Sequence, residues 1–304
     1  MKSNFEFLNR YWPALAQIGA VAESYVYSDA NACLYKLGMF GERLILEIFA
    51  FEHIKEPTID NTHANRIRLL KREGLIPKKI DDILYALRKT RNDAVHAGAD
   101  SVEDAKTLLS MTYNLAVWFM EVYGDWGYIA PAFVMPENVV QPDYESIIKE
   151  QEEKIVALSK QVEAVSTAAS TKTSKERAEK GETASESMEL SEAETRYLID
   201  EQLRKFGWEA DTNNLRYSKG TRPQKGRDLA IAEWPTDSVV GKNGYADYAL
   251  FVGLKLVGIV EAKKAAIDIP AVIDHQCKEY AKCIKAEHKE YIINQWGVYK
   301  VPFV

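Results

Sequence analysis

Three residues near the C-terminal third of the chain carry the types and spacing that chemistry needs: Asp247, Glu261 and Lys263, in "YADYALFVGLKLVGIVEAKKA". The run alternates apolar residues about a turn at Gly253–Leu254, which predicts a β-hairpin. Folded there, Phe251 and Val252 face Lys255 and Leu256, and Asp247 arrives opposite Val260 or Glu261. Glu261 and Lys263 are two apart on one strand and so share a face, while Ala262 points to the other face. Two carboxylates brought together repel unless a cation sits between them. A hard divalent ion such as Mg²⁺ takes oxygen ligands and retains waters, one of which can become a nucleophile. An adjacent ammonium can orient that water or balance charge on a pentacovalent phosphorus. The combination suits hydrolysis of a phosphodiester; the alternative is a solvated strand end kept soluble by its charges.

Elements on either side must position this hairpin. "SEAETRYLIDEQLRKFGW" predicts a helix ended by Gly207, and "RDLAIAEWP" a strand stopped by Pro235. "IDIPAVIDHQCKEYAKCIKAEHK" predicts a helix with Pro270 near its first turn, and "WGVYKVPFV" a closing strand. Residues 191–304 therefore read as an α/β domain. Residues 1–141 read as an all-α domain instead. "DANACLYKLGMFGERLILEIFAFEHI" has apolar residues at helical spacing, and further helices start at Pro77 and Ser101. Between the two, residues 142–190 read as a helical arm followed by a polar linker. Ile148, Ile155, Leu158, Val162 and Val165 approximate a heptad, and "STAASTKTSKERAEKGETASES" lacks large apolar residues.

Composition bounds the rest. The 304 residues are 46 % hydrophobic and 28 % charged, the proportions of a globular protein. No apolar run reaches the length of a membrane span, and "MKSNFEFLNRYWPALAQ" mixes charge and aromatics without the apolar core or cleavage site of a signal peptide. Three cysteines, Cys33, Cys277 and Cys283, have neither disulfide-framework nor zinc spacing, so a reduced, cytoplasmic setting is expected. With a net charge of −6, any nucleic-acid surface must be a local patch. The small basic loop "TRPQKGRD", with Arg222, Lys225 and Arg227, is a candidate phosphate contact or a solvated loop. Glu194 also has two readings: a metal-binding acid, or the partner of Ser191 in a capping box.

The hairpin resembles the core of the PD-(D/E)xK nuclease superfamily, with Asp247 and Glu261-Ala262-Lys263 in the motif places and Ala246 where the family name has proline. Gln276 and Tyr280 in "QCKEY" resemble the QxxxY motif of the RecB-like branch. In order, residues 191–304 resemble the N-terminal region of the R subunit of type I restriction–modification enzymes. The segments "MFGERLILEIFA" and "RNDAVHAG" resemble the helical extension of one branch of those subunits. The resemblance implies a restriction-endonuclease fold with a mixed central sheet. It further implies Mg²⁺-dependent cleavage of DNA by Asp247, Glu261 and Lys263, supported by Gln276 and Tyr280. Partners would be the methyltransferase and specificity subunits, and ATP would serve only a motor domain beyond this chain. "RNDAVH" is also similar to the R-x4-H motif of HEPN domains. Arg91 and His96 would there cut RNA without metal, usually across a dimer, as the alternative to a docking role. His53, His63, His275 and His288 have no metal spacing and read as surface or packing residues.

Overall fold

A computed structural model describes residues 3–55, 60–138, 172–237, 244–262 and 277–304. The chain divides into two compact units, Met1–Leu190 and Ser191–Val304.

The first unit is helical, as its spacing predicts. It contains α1 (Pro13–Tyr25), α2 (Ala30–Phe51), α3 (His63–Arg72), α4 (Lys78–His96) and α5 (Val102–Phe119), with a π turn over Met120–Gly124. Local chemistry sets the starts. Asp29 accepts from the Ala32 N–H at 2.8 Å, and Ser101 from the Asp104 N–H at 3.2 Å, satisfying donors the helix itself leaves over. α2 buries Leu34, Leu37, Leu44, Ile45 and Ile48 and packs against α1, α4 and α5. Its contact with α4 is close at Gly38, where an added Cβ would lie 2.4 Å from the Arg91 Cβ. Only glycine admits the Arg91 stem there.

The segment expected as a polar linker is in fact helical over part of its length. Ser174–Ser187 forms α6, opened by a capping box in which Thr173 and Glu176 satisfy each other's backbone N–H. It docks in the first unit through means that a hydrophobic pattern does not display. The Arg177 guanidinium makes a bidentate pair with Glu52, Nη2–Oε2 being 2.8 Å. Small residues Gly181 and Ala184 are buried, and the Trp118 indole donates to the Gly181 carbonyl at 2.9 Å. At the far end the Lys79 ammonium donates to the carbonyls of Ser185 and Met188, at 2.6 and 2.8 Å. A cation on C-terminal carbonyls is favourable for the helix dipole. The heptad residues 148–165 lie outside the described residues.

The second unit begins with α7 (Glu192–Lys205) and holds a four-stranded sheet: β1 (Glu209–Ala210), β2 (Asp228–Thr236), β3 (Gly244–Val252) and β4 (Lys255–Val260). The order is β1-β2-β3-β4; β1 runs parallel to β2 and the other pairs are antiparallel, giving the mixed sheet expected. Val252 pairs with Lys255 across a two-residue turn in which Gly253 has φ 57°, a conformation glycine adopts without strain. A bulge at Leu250/Phe251 absorbs one residue of β4, and the ladder continues to Tyr248–Val260. One face of the sheet buries Ala230, Ala232 and Tyr248 with Ile199 and Leu203 of α7. The other buries Leu229, Ile231, Trp234, Phe251 and Ile259 with Ala281, Ile284 and Val301 from the C-terminal segment.

Three expectations need correction here. β2 does not stop at Pro235 but runs through it to Thr236, with Pro235 paired to Tyr245. On its other side β2 is bridged at Ala232 by Arg216 and at Thr236 by Ile284, and Pro235, which has no N–H to give a ladder, falls between those two single bridges. "WGVYKVPFV" is not a regular strand: Trp296 bridges Tyr299 across a turn and Phe303 bridges Gly258 singly. Of the long helix expected before it, α8 (Lys278–Lys282) is followed by a 3-10 turn at Ala286–Tyr291. Residues 263–276 lie outside the described residues.

Candidate active site

The last formal pair of the hairpin is Tyr248–Val260, so the next step sets Asp247 beside Glu261. The Asp247 carboxylate is fastened at that strand end. Oδ2 accepts from the Ala262 N–H at 2.7 Å, against the Glu261–Ala262 peptide. Oδ1 accepts from Arg196 Nη2 of α7 at 3.2 Å. On its other side the β2–β3 ladder passes from Ala232–Tyr248 to Trp234–Ala246 with no 233–247 pair. Glu233, in that gap, has φ 52° and an ion pair with Arg216 at 3.1 Å. A non-glycine residue in the left-handed region is strained, and such strain gathers at functional sites.

A buried polar network supports this end of the sheet. The Tyr248 hydroxyl lies 2.6 Å from Thr212 Oγ1 and donates to the Arg196 carbonyl at 3.4 Å. Thr212 gives its N–H and its hydroxyl to Asp200 of α7, at 2.7 and 2.9 Å. Burial pushes the Asp200 carboxyl above its ordinary value, more than the Thr212 bonds pull it down. Burial likewise pushes the Tyr248 phenol up, with the Asp200 charge adding to it. The network ties α7 to β3, and Arg196 rides on α7.

Arg196 was not singled out by sequence spacing. Its i,i+4 partner Glu192, bonded to Nε at 3.0 Å, reads as an ordinary surface pair. The contact that matters spans 51 positions, which no local pattern reports. Its Nη1 is buried and, among the described residues, has no hydrogen-bond partner.

The other expected residues fall as follows. Glu194, 2 % exposed, forms the capping box: its Oε2 accepts from the Ser191 N–H at 2.7 Å, and Ser191 Oγ accepts from the Glu194 N–H at 3.2 Å. Tyr280 packs over Gly244 at the start of β3 and against the core around Trp234. Lys263 and Gln276 lie outside the described residues. In the basic loop the Arg222 guanidinium stacks 3.7 Å from the Tyr217 ring, and Arg227 is paired with Glu209 through Nε at 3.0 and 3.1 Å. Lys225 is exposed. In the helical unit Arg91 pairs with Glu42 and lies 5.2 Å over Tyr35. His96 stands exposed in the last turn of α4, about 140° around the helix from Arg91. His288 is buried, 4.6 Å from the Trp234 ring and bonded to the Tyr217 hydroxyl at 3.2 Å.

Among the described residues no group of three or more His, Cys, Asp or Glu gathers to hold a metal. Asp247 and Glu261 instead offer an all-oxygen pair at adjacent strand ends. That donor chemistry fits a hard cation that keeps most of its waters, such as Mg²⁺, and not zinc or copper.

Comparison with known proteins gives the same direction. Residues 209–304 match a family model described as the second domain of the type I restriction enzyme EcoKI endonuclease subunit. Over an alignment of 334 residues the chain is 33 % identical to the type I restriction enzyme EcoKI endonuclease subunit of Escherichia coli (strain K12), covering 93 % of this chain. The chain is similar to the N-terminal part of a type I restriction R subunit. It spans 28 % of that R subunit's length. Asp247, Glu261, Lys263, Gln276 and Tyr280 all lie in the segment matched to the R-subunit second domain, whereas Glu194 and Arg196 precede it. Residues 21–165, which include Arg91 and His96, match a family model described as a domain of unknown function, DUF4145. No solved structure matches the chain. Among the described residues no helix is long and apolar enough to cross a membrane.

Proposed function

We propose that residues 191–304 are the Mg²⁺-dependent endonuclease domain of a type I restriction R subunit, hydrolysing phosphodiester bonds of unmodified foreign DNA in the full complex. The observation that carries the reading is the Asp247 carboxylate bound to the Ala262 N–H at 2.7 Å, beside Glu261. Asp247 and Glu261 would hold the ion. The ion, when bound, acidifies a water and neutralises charge on the phosphate. Lys263 would orient that water, and Tyr280 and Gln276 would steady the strand ends and the DNA backbone. Ala262 and the Tyr248 network hold the Asp247 carboxylate in place, so little reorganisation is left for the reaction itself. Methyltransferase and specificity subunits would supply sequence recognition, and ATP would serve only a motor outside this chain, all in the cytoplasm.

The metal-independent RNase alternative is less well supported. Arg91 is committed to Glu42, Tyr35 and Gly38, which is the environment of a packing residue. The test is nicking of supercoiled plasmid by the R subunit assembled with its partners, in Mg²⁺ or EDTA. Cleavage should require the metal and fall at least about 100-fold in Asp247→Asn and Lys263→Ala, a loss of about 2.7 kcal/mol of transition-state stabilisation. RNA cleavage that survives EDTA and disappears in His96→Ala would replace this reading with the RNase one.

A further inference from the structure

We propose that Arg196 is the positioning cation of this site: it competes with a divalent ion for Asp247 Oδ1 and, once displaced, gives its buried Nη1 to a phosphate oxygen of the DNA. The inference rests on the nuclease reading above. Four observations carry it. First, the Arg196–Asp247 bond, at 3.2 Å, is longer than the 2.7–2.9 Å of a well-made charge-assisted contact, so it is one the arginine can leave. Asp247 keeps its other anchor, the Ala262 N–H, when it does.

Second, Nη1 is buried without an acceptor among the described residues. A buried donor left unmade is penalised, and more so when it belongs to a charged group. An anion arriving at the strand end removes that penalty. Third, the tether holding Nε is Glu192, whose side chain is 81 % exposed. Solvent-facing pairs of this kind bind weakly, so the head group can turn. Fourth, the guanidinium is planar, permanently charged and matched to phosphate geometry, and it is delivered by a helix fixed to β3 through Asp200, Thr212 and Tyr248. Among the described residues the acids bonded to it are Asp247 and Glu192, with Glu261 next to Asp247. A cation entering this ring changes which of them the arginine serves.

The signature is a pair of effects with opposite signs. Removing the competitor should tighten metal binding, while removing the phosphate donor should weaken DNA binding. Mn²⁺ affinity is measured on the 304-residue chain by the electron paramagnetic resonance of the free ion. Affinity for a short duplex is measured by fluorescence anisotropy in Ca²⁺. In Arg196→Met, Mn²⁺ should bind about tenfold tighter and the duplex about tenfold weaker. Arg196→Lys restores the competing charge but not the planar fork. It should return Mn²⁺ affinity toward the parent value while leaving the duplex weakly bound.

Unchanged or weakened Mn²⁺ binding in a folded Arg196→Met protein overturns the proposal and leaves Arg196 a structural ion pair. Should circular dichroism show that Arg196→Met does not fold, Arg196→Lys decides by itself. Duplex affinity equal to the parent's then overturns the phosphate role. Asp247→Asn separates the two layers: Mn²⁺ binding unaffected by that change sinks the nuclease reading itself, whatever Arg196 does.

Discussion

The Arg177–Glu52 pair gives the sharpest stability prediction, because it holds in place the helix that composition alone makes look like a linker. Both side chains are almost fully enclosed, at 6 % and 1 % exposure, and Arg177 also donates to the Lys172 carbonyl at 2.6 Å. Arg177→Met removes the cation and leaves Glu52 buried, still accepting from the Ser174 hydroxyl of α6. Breaking a buried pair from one side costs about 3–5 kcal/mol, chiefly from the stranded charge. In a unit of this size each kcal/mol moves the midpoint by roughly 2–4 °C, so a fall of about 6–20 °C is expected by calorimetry. Hydrogen exchange should show protection lost first across Ser174–Ser187, since α6 is attached at few points. Glu52→Met/Arg177→Met should recover most of the loss, because neither charge is then stranded. Burial raises the Glu52 carboxyl, but the bonds from Arg177 and Ser174 outweigh it and leave the folded value below the ordinary one. The pair's contribution is therefore present above the unfolded-state value and lost as pH falls through the folded one, so α6 should also release in acid, below the ordinary carboxylate range. A single substitution costing under about 1 kcal/mol, or a double substitution no better than either single one, would refute the reasoning.

Other outcomes follow from the same geometry. His63 is buried beside Arg88, Arg66 and Arg91, and burial first, then those charges, press its imidazole down to about 4. The neutral ring is favoured in the fold, so the stability it supports is complete above about pH 6.5 and declines toward pH 4; roughly 3 kcal/mol of pH-dependent stability, read from melting curves, should vanish in His63→Phe. Gly38→Ala should destabilise the helical unit by about 1–3 kcal/mol in chemical denaturation, because the new Cβ meets the Arg91 stem at 2.4 Å. Thr212→Val strips both Asp200 and Tyr248 of a buried hydroxyl partner and should lower the stability of the second unit by about 1–3 kcal/mol, with fluorescence-monitored urea unfolding as the readout.

What the amino-acid sequence discloses depends on how far apart the interacting residues lie. The hairpin is legible because its alternation has period two and its turn needs a residue free to adopt positive φ, which Gly253 supplies; that turn alone would set Asp247 opposite Val260, and the bulge at Leu250/Phe251, which no local pattern announces, moves it beside Glu261. Capping residues Asp29, Ser101 and Ser191 are legible for the same local reason. α6 is not, since it docks by an ion pair and by small residues over Trp118, so its helical face is made of types that elsewhere signal solvent. The irregular C-terminal segment is also hidden, because its apolar residues fill the sheet face around Trp234 and Phe251 without forming a ladder.

Arg196 marks the boundary between these cases. Helix periodicity places it one turn after Glu192 and gives it a sufficient partner there, so nothing in the sequence asks for another. The need arises only when α7 is laid on β3, and what lays it there is again invisible locally: an acid, a threonine and a tyrosine that each become buried only in the assembled unit. A residue pattern can therefore announce which carboxylates could bind an ion, whereas the cation that contends with that ion is set by tertiary packing. If so, substitutions in the Asp200–Thr212–Tyr248 network should alter Mn²⁺ affinity through Arg196 without touching either carboxylate. Tyr248→Phe, which keeps the ring but removes the bonds from β3 to Thr212 and to the Arg196 carbonyl of α7, should shift that affinity in the same direction as Arg196→Met and by less. An equal shift when Tyr248→Phe is introduced into the Arg196→Met background would break the link, because no arginine would remain for the network to position.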